Sequence, residues 1–172
     1  MAGRLTIAEL NALDANTFAA RLAHVFEHAP WVAGRAAVRR PFAGRAGLHR
    51  AMVDVIGAAS EAEQLALLRG HPDLAGKAAI AGDLTADSKR EQQGAGLDRL
   101  TSAEYDRFHA LNGTYKERFG FPFIVAVKGK TKDDILAAFS RRAGNERSAE
   151  FREALDQVGR IAGFRLADLI QD

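Results

Sequence analysis

One stretch of this chain, Phe121–Val127, has the apolar composition of a β-strand, and Pro122 lies inside it. Proline removes a ladder hydrogen bond, and a single strand has no partner with which to build a sheet. Apolar residues elsewhere recur at helical spacing. The sequence therefore predicts an all-α fold: a single compact helical domain of about eight helices over residues 1–172, with one extended, buried apolar connector.

Capping patterns predict where several helices begin. Ser60 with Glu63 and Thr101 with Glu104 have the spacing of capping boxes. The first box predicts a helix over Glu61–Arg69, and the second a helix that runs to Phe119 and stops at Gly120. Further helix starts are predicted at Asn16, Pro30, Thr85 or Asp87, Thr131 and about Ser148.

Composition excludes several classes of protein. The chain has 172 residues, no cysteine and a net charge of +2. Without cysteine there are no disulfides, thiol nucleophiles or thiolate metal sites. Apolar runs are too short to span a bilayer, and the N-terminus lacks the apolar core of a signal peptide, which predicts a cytoplasmic protein without a membrane partner. Basic residues are spread along the chain, whereas nucleic-acid binders usually concentrate them on one face.

His71 is the first candidate for chemistry. It follows Gly70, which is expected to end a helix, and precedes Pro72, which disfavours the α conformation of the residue before it. These neighbours restrict the backbone and help to aim the ring. Imidazole can give or take a proton near neutral pH. The alternative is a histidine at a helix terminus without a catalytic role.

A second candidate is the helix face shared by Ser88, Glu91 and Gln92, which have i, i+3, i+4 spacing. A hydroxyl, a carboxylate and an amide on one face can hold a small polar molecule or orient a histidine. The alternative is a capped, exposed helix start, where acidic residues are favoured by the helix dipole.

Two further candidates lie towards the C-terminus. The backbone of Phe123–Val127 lacks a predicted sheet partner, so its polar groups would need a ligand or water, although plain core packing explains the pattern equally well. Arg165 lies beside the apolar stripe of the last helix. It could extend to water or, turned inward, fork onto a carboxylate, carbonyl or ureido oxygen. Arg160 is its obvious competitor.

The remaining histidines do not predict a metal site. His24 and His28 are expected on one helix face beside Glu27, but they lack the H-E-x-x-H pattern and a third ligand. No nucleophile elbow, phosphate-binding loop or dinucleotide fingerprint is present.

Three segments occur in a specific order: HPDLAGK at His71–Lys77, S-x-x-EQ-x-x-AGLD from Ser88, and LN-x-x-Y-x-x-RFGFPFI up to Ile124. Together with FEHAPWVAGRAAVRRPF at Phe26–Phe42 and IAGFRL at Ile161–Leu166, they resemble the 2-oxo-4-hydroxy-4-carboxy-5-ureidoimidazoline (OHCU) decarboxylase family of urate degradation. Any one segment is weak evidence, but their order and spacing are specific.

The resemblance implies an all-α protein, often dimeric, that needs no cofactor or metal. It places the catalytic residues at His71 and Glu91. The implied substrate-binding residues are Pro72, Ser88, Gln92, the backbone of Phe123, Ile124, Val125, Ala126 and Val127, and Arg165. Departures are minor: Ala86-Asp87 stands where Pro-Glu is expected, and Val127-Lys128 replaces a more typical Ala-Arg.

The implied activity is decarboxylation of OHCU to (S)-allantoin, with His71 as the proton donor and Glu91 as its partner. The expected binding partner is the small-molecule substrate, and a second copy of the chain is expected in a homodimer. No nucleic-acid partner is expected. The rival hypothesis, a helical nucleic-acid-binding module, is suggested by a pI of about 9.1 and by the many arginines. It predicts salt-dependent binding but gives no reason for the Gly-His-Pro junction.

Overall fold

The computed structural model describes residues 3–76 and 82–172, and within these ranges the all-α prediction is confirmed. The helices are α1 (Ile7–Ala12), α2 (Ala15–Leu22), α3 (Trp31–Ala36), α4 (Arg45–Ala58), α5 (Glu61–Arg69), α6 (Ala86–Gly94), α7 (Ser102–Phe119), α8 (Lys132–Arg142) and α9 (Arg147–Leu169). A 3-10 turn covers Ala37–Arg39. Two short parallel strands, β1 (Leu5–Thr6) and β2 (Ile170–Gln171), pair Leu5 with Ile170.

The chain divides into two compact units. The first comprises Met1–Gly70 and Gly159–Asp172, and the second comprises His71–Val158. Residues of α9 belong to both. The prediction of one domain over residues 1–172 stays a prediction. In the part of the chain that the structure describes, no helix combines the length and apolarity that a bilayer span requires.

In the first unit, the helix predicted to begin at Asn16 is shorter than the helical spacing of Phe18, Leu22, Val25 and Phe26 indicates. Asp14, rather than Asn16, caps α2, because its side chain accepts a hydrogen bond from Thr17 N. The helix ends at Leu22, although Val25 and Phe26 are fully buried beyond it. His28 has φ 51, a left-handed conformation that a continuous helix does not contain. The prediction that His24 and His28 share a helix face is therefore wrong.

The second unit has an aromatic core around the connector. The rings of Phe123 and Phe139 stack with centroids 3.9 Å apart, and Tyr115 contacts Phe123 edge-on at 5.4 Å. Gly120 ends α7 with φ 80, as the sequence predicted. The structure assigns no regular secondary structure to residues 122–127 and buries all of them. The connector is therefore part of the core of this unit.

Candidate active site

His71 begins a tight loop in the second unit. Its side chain is buried, with 9% of its surface exposed. Ala75 has φ 51, a left-handed conformation that costs an L-residue about 1–2 kcal/mol. A Cβ on Gly76 would lie 2.8 Å from Asp73 Cβ, so only glycine fits there without a shift. Lys77, the last residue of the HPDLAGK segment, lies outside the described residues.

Two helices of the same unit hold this loop by hydrogen bonds to its backbone. Gln92 Oε1 on α6 accepts from Ala75 N at 2.9 Å, and Gln92 Nε2 donates to Asp73 O at 3.3 Å. Asn112 Nδ2 on α7 donates to Leu74 O at 2.9 Å. The structure thereby ties the segment after His71 and Pro72 to the helix that bears Ser88, Glu91 and Gln92.

The polar face of α6 is largely turned into the protein. Thr85 is the N-cap, and its hydroxyl accepts from Ser88 N at 3.3 Å. Ser88 and Gln92 are buried, and Glu91 is half-buried. The alternative of a fully exposed helix start therefore does not describe this face.

Residues of the connector have polar backbone groups held by side chains from α8 and α9. Ile124 O accepts from Arg142 Nη1 at 2.6 Å, and Ala126 N donates to Gln157 Oε1 at 2.9 Å. Val127 O accepts from Lys130 N at 3.0 Å. Part of the backbone of Phe123–Val127 is therefore satisfied within the protein, by partners that the sequence pattern did not indicate.

Arg142 belongs to a buried network that sequence reasoning missed. Its Nε donates to Glu150 Oε1 at 2.7 Å, and Tyr115 donates its phenolic proton to the same oxygen at 2.5 Å. Burial, together with this hydrogen bond to Glu150, raises the pKa of Tyr115 well above its ordinary value, so the phenol stays a donor. The only sequence signal was the tyrosine of the L-N-x-x-Y pattern.

Arg165 lies in the first unit and is turned inward, with its side chain almost fully buried. Its Nη1 donates to Glu27 Oε2 at 2.9 Å and to His24 O at 3.3 Å. Arg160 is exposed, in contrast. Glu27 is the unforeseen member of this pair. It stands in the FEHAPW segment beside His28, where no sequence pattern predicted a buried carboxylate.

A cavity of about 590 Å³ lies beside α6 and the start of α7 in the second unit. Its walls include Lys89, Gln92, Tyr105 and Asp106. Gln92 is the predicted site residue that lines it, whereas His71, Ser88 and Glu91 do not.

The known proteins that this chain resembles are named for OHCU decarboxylation or for uric acid degradation. The family model described as OHCU decarboxylase matches residues 11–167. The chain is 45% identical over 164 residues to the OHCU decarboxylase of Haloferax volcanii, with 95% of each protein covered. It is 47% identical over 167 residues to the uric acid degradation bifunctional protein PucL of Bacillus subtilis, with 97% of this chain and 33% of that protein covered.

A solved structure agrees with these relatives. The crystal structure of (S)-allantoin synthase superposes with a TM-score of 0.76 at 31% identity, over 96% of this chain and 54% of that chain. This chain thus spans only part of PucL and of the allantoin synthase, but nearly all of the Haloferax protein. Because the family model matches most of its length, the chain belongs to the OHCU decarboxylase family.

Proposed function

We propose that this chain catalyses the cofactor-independent decarboxylation of OHCU to (S)-allantoin, with His71 as the proton donor and Glu91 as its partner. The reaction class, a carboxy-lyase reaction of urate degradation on a small-molecule substrate, is that of the family to which the chain belongs. One observation supports the assignment of residues: the two hydrogen bonds of Gln92 link the backbone just after His71 to the α6 face that bears Glu91.

The substrate supplies its own electron sink. Its carboxylate is attached to a ring carbon next to a C=N bond. When the carbon–carboxylate bond breaks, CO₂ leaves and the bonding electrons move into the C=N group. These electrons first join the two ring carbons by a double bond, and the nitrogen of the former C=N group takes a proton. The hydroxyl group on the carbon that lost the carboxylate then gives up its proton and becomes a carbonyl, while a proton delivered to the neighbouring, ureido-bearing carbon completes allantoin. The enzyme therefore needs to orient the ring, remove water from the carboxylate and protonate one face, which sets the handedness of allantoin.

His71 suits the role of proton donor because its backbone is restricted and its side chain is largely screened from water. A positioned acid of this kind is worth roughly 10²–10⁴-fold in rate. Glu91 would orient and tune the imidazole. The ring and the ureido group of the substrate would be held by Pro72, Ser88, Gln92 and the backbone of Phe123–Val127.

Arg165 stays a predicted substrate-binding residue. A guanidinium directly on the departing carboxylate would stabilise the ground state and oppose the loss of CO₂. The ion pair with Glu27 already compensates much of its charge. Both considerations favour a hydrogen bond from Arg165 to a neutral ring or ureido oxygen. A homodimer and a cytoplasmic location complete the proposal.

The decisive experiment generates the unstable urate-oxidation product in situ with the two upstream enzymes and follows allantoin by circular dichroism. The protein should speed the reaction and yield the (S) enantiomer in excess. If the slow, racemic background is unchanged, the proposed function is wrong.

Variants of His71 test the proton donor separately. His71→Gln should lower the enzymatic rate by roughly 10²–10⁴-fold, because the amide cannot protonate carbon. The matched control is His109→Gln, which changes an exposed histidine of α7 and should leave the rate unchanged. Full activity of the His71 variant would refute its role while leaving the reaction assignment intact.

A further inference from the structure

We propose that Gln157 and Arg142 are positioning residues of the substrate site, which fix the backbone of residues 124–126 so that the intervening peptide groups of Val125 face the substrate. This inference rests on the proposed function, in which Phe123–Val127 forms a backbone wall for the ring. It adds two residues to that site and specifies which backbone groups they leave for the ligand.

Arg142 and Gln157, the two anchors, each bind one of the two peptide groups that flank the Val125 Cα atom. Both peptide bonds are trans, and in a planar trans peptide group the C=O and the N–H point in opposite directions. Ile124 O and Ala126 N, two residues apart, are bound by Arg142 Nη1 and Gln157 Oε1 at 2.6 and 2.9 Å. The Val125 N–H therefore points away from Arg142, and the Val125 C=O points away from Gln157.

Val125 is buried, with 6% of its surface exposed. Within residues 3–76 and 82–172, neither its N–H nor its C=O takes part in a hydrogen bond. Buried backbone groups are almost always paired, with protein, water or a ligand. A flat heterocycle with amide-like N–H and C=O groups, such as the ureidoimidazoline, offers both a donor and an acceptor to this one residue.

Both anchors are themselves held rigidly. Glu150 binds Arg142 through Nε and Nη2, at 2.7 and 2.6 Å, and also accepts from Tyr115. The guanidinium lies over the Phe123 ring, 4.4 Å from its centroid. Gln157 Nε2 donates to Glu153 Oε1 at 2.8 Å, which directs the oxygen of the amide at Ala126. These contacts remove rotamer freedom, so the loop is preorganised before substrate arrives.

Gln157 is the better residue to test. Removing Arg142 would leave Glu150 as a buried unpaired carboxylate, and the variant could fail to fold. Gln157→Met keeps the length of the side chain but removes the acceptor. The double variant Glu153→Gln/Gln157→Glu exchanges the two groups: residue 157 again presents an oxygen to Ala126 N, residue 153 supplies the amide donor, and the net charge is unchanged.

The kinetic prediction is a change in substrate binding. Gln157→Met should raise KM about 10-fold with kcat changed less than about threefold, because a contact made in both the ground and transition states is loosened. The exchanged double variant should return KM to within about threefold of the parent. Val55→Ala on α4, a buried site in the first unit, provides a destabilised control whose KM should not change.

A second measurement is independent of activity. Amide hydrogen exchange followed by NMR should show Ala126 N–H exchanging at least about 10-fold faster in Gln157→Met and normally in the double variant. An active parent whose Gln157→Met variant keeps its KM, or shows no faster exchange at Ala126, overturns the positioning role alone. A parent that does not accelerate allantoin formation overturns the proposed function, and the positioning role with it.

Discussion

At the scale of single residues, the loop after His71 depends on one position without a side chain. Gly76→Ala would place a Cβ 2.8 Å from Asp73 Cβ, which forces the backbone of residues 73–76 to shift. We expect decarboxylation to slow about 10- to 100-fold, because small displacements of catalytic groups are costly. Steady-state rates with coupled substrate generation test this expectation.

Gly94→Ala is the matched control for that substitution. Gly94 is the last residue of α6, and its hypothetical Cβ would meet no atom of the described residues within 4 Å beyond its own helix backbone and chain neighbours. Alanine there should leave the rate unchanged and stabilise the protein slightly. Equal rates for the Gly76→Ala, Gly94→Ala and parent proteins would show that the tight loop does not position His71.

The candidate catalytic groups could be predicted from the sequence, but several buried polar residues could not. His71 stands out because Gly70 and Pro72 restrict it, and the spacing of Ser88, Glu91 and Gln92 places them on one face. Glu27, Arg142 and Gln157, by contrast, look like ordinary surface residues in the sequence. Their burial depends on partners distant along the chain, and hydrophobic periodicity contains no information about such pairs.

At the scale of elements, the helices that begin with a capping box were predicted more accurately than α2. The capping boxes at Ser60 and Thr101 are both formed, and α5 covers Glu61–Arg69 as expected. A cap is a local hydrogen-bond pattern, so a few adjacent residues specify it. The end of α2 at Leu22 was missed because Val25 and Phe26 continue the apolar spacing while packing from a turn.

Two glycines of α7 give a matched pair for the energetics of this helix. Gly113 lies exposed within the helix, whereas Gly120 ends it with φ 80. Gly113→Ala should stabilise the protein by about 0.5–1 kcal/mol, because alanine loses less backbone entropy. Gly120→Ala should destabilise it by about 1–2 kcal/mol, because an L-residue is strained in the left-handed region.

Urea unfolding of both variants measures the free energies. If Gly120→Ala were as stable as Gly113→Ala, the left-handed end of α7 would not be needed to direct the chain into the connector.

At the scale of the whole molecule, each unit contains a capping carboxylate whose ionisation is coupled to folding. A hydrogen bond from Arg35, with one from the Ser60 backbone, lowers the pKa of Glu63 to about 2. In the second unit, Lys132 and the Thr101 backbone lower the pKa of Glu104 to about 2. The ordinary value for both is 4.5. Both carboxylates therefore bind protons more readily in the unfolded chain than in the folded one.

The sign of the pH dependence follows from this difference. Where the unfolded chain binds more protons, the free energy of unfolding rises with pH. The contribution of the two carboxylates is complete above a pH of about 4.5 and is lost as the pH falls towards about 2. Because the ion-pair partners are partly exposed, added salt should weaken the effect.

Urea unfolding between pH 2.5 and 6 tests both the linkage and the prediction of a single domain. The double variant Glu63→Gln/Glu104→Gln should show a shallower loss of stability on acidification than the parent or than Glu117→Gln, which neutralises an exposed glutamate of α7.

Trp31, the single tryptophan, reports on the first unit by fluorescence, whereas circular dichroism reports on helices of both. If the chain unfolds as a single domain, the fluorescence and circular dichroism signals change at the same urea concentration. The Glu104→Gln substitution in the second unit then also shifts the unfolding transition that Trp31 fluorescence reports. Separate transitions, with Trp31 insensitive to Glu104→Gln, would mean that the units unfold independently.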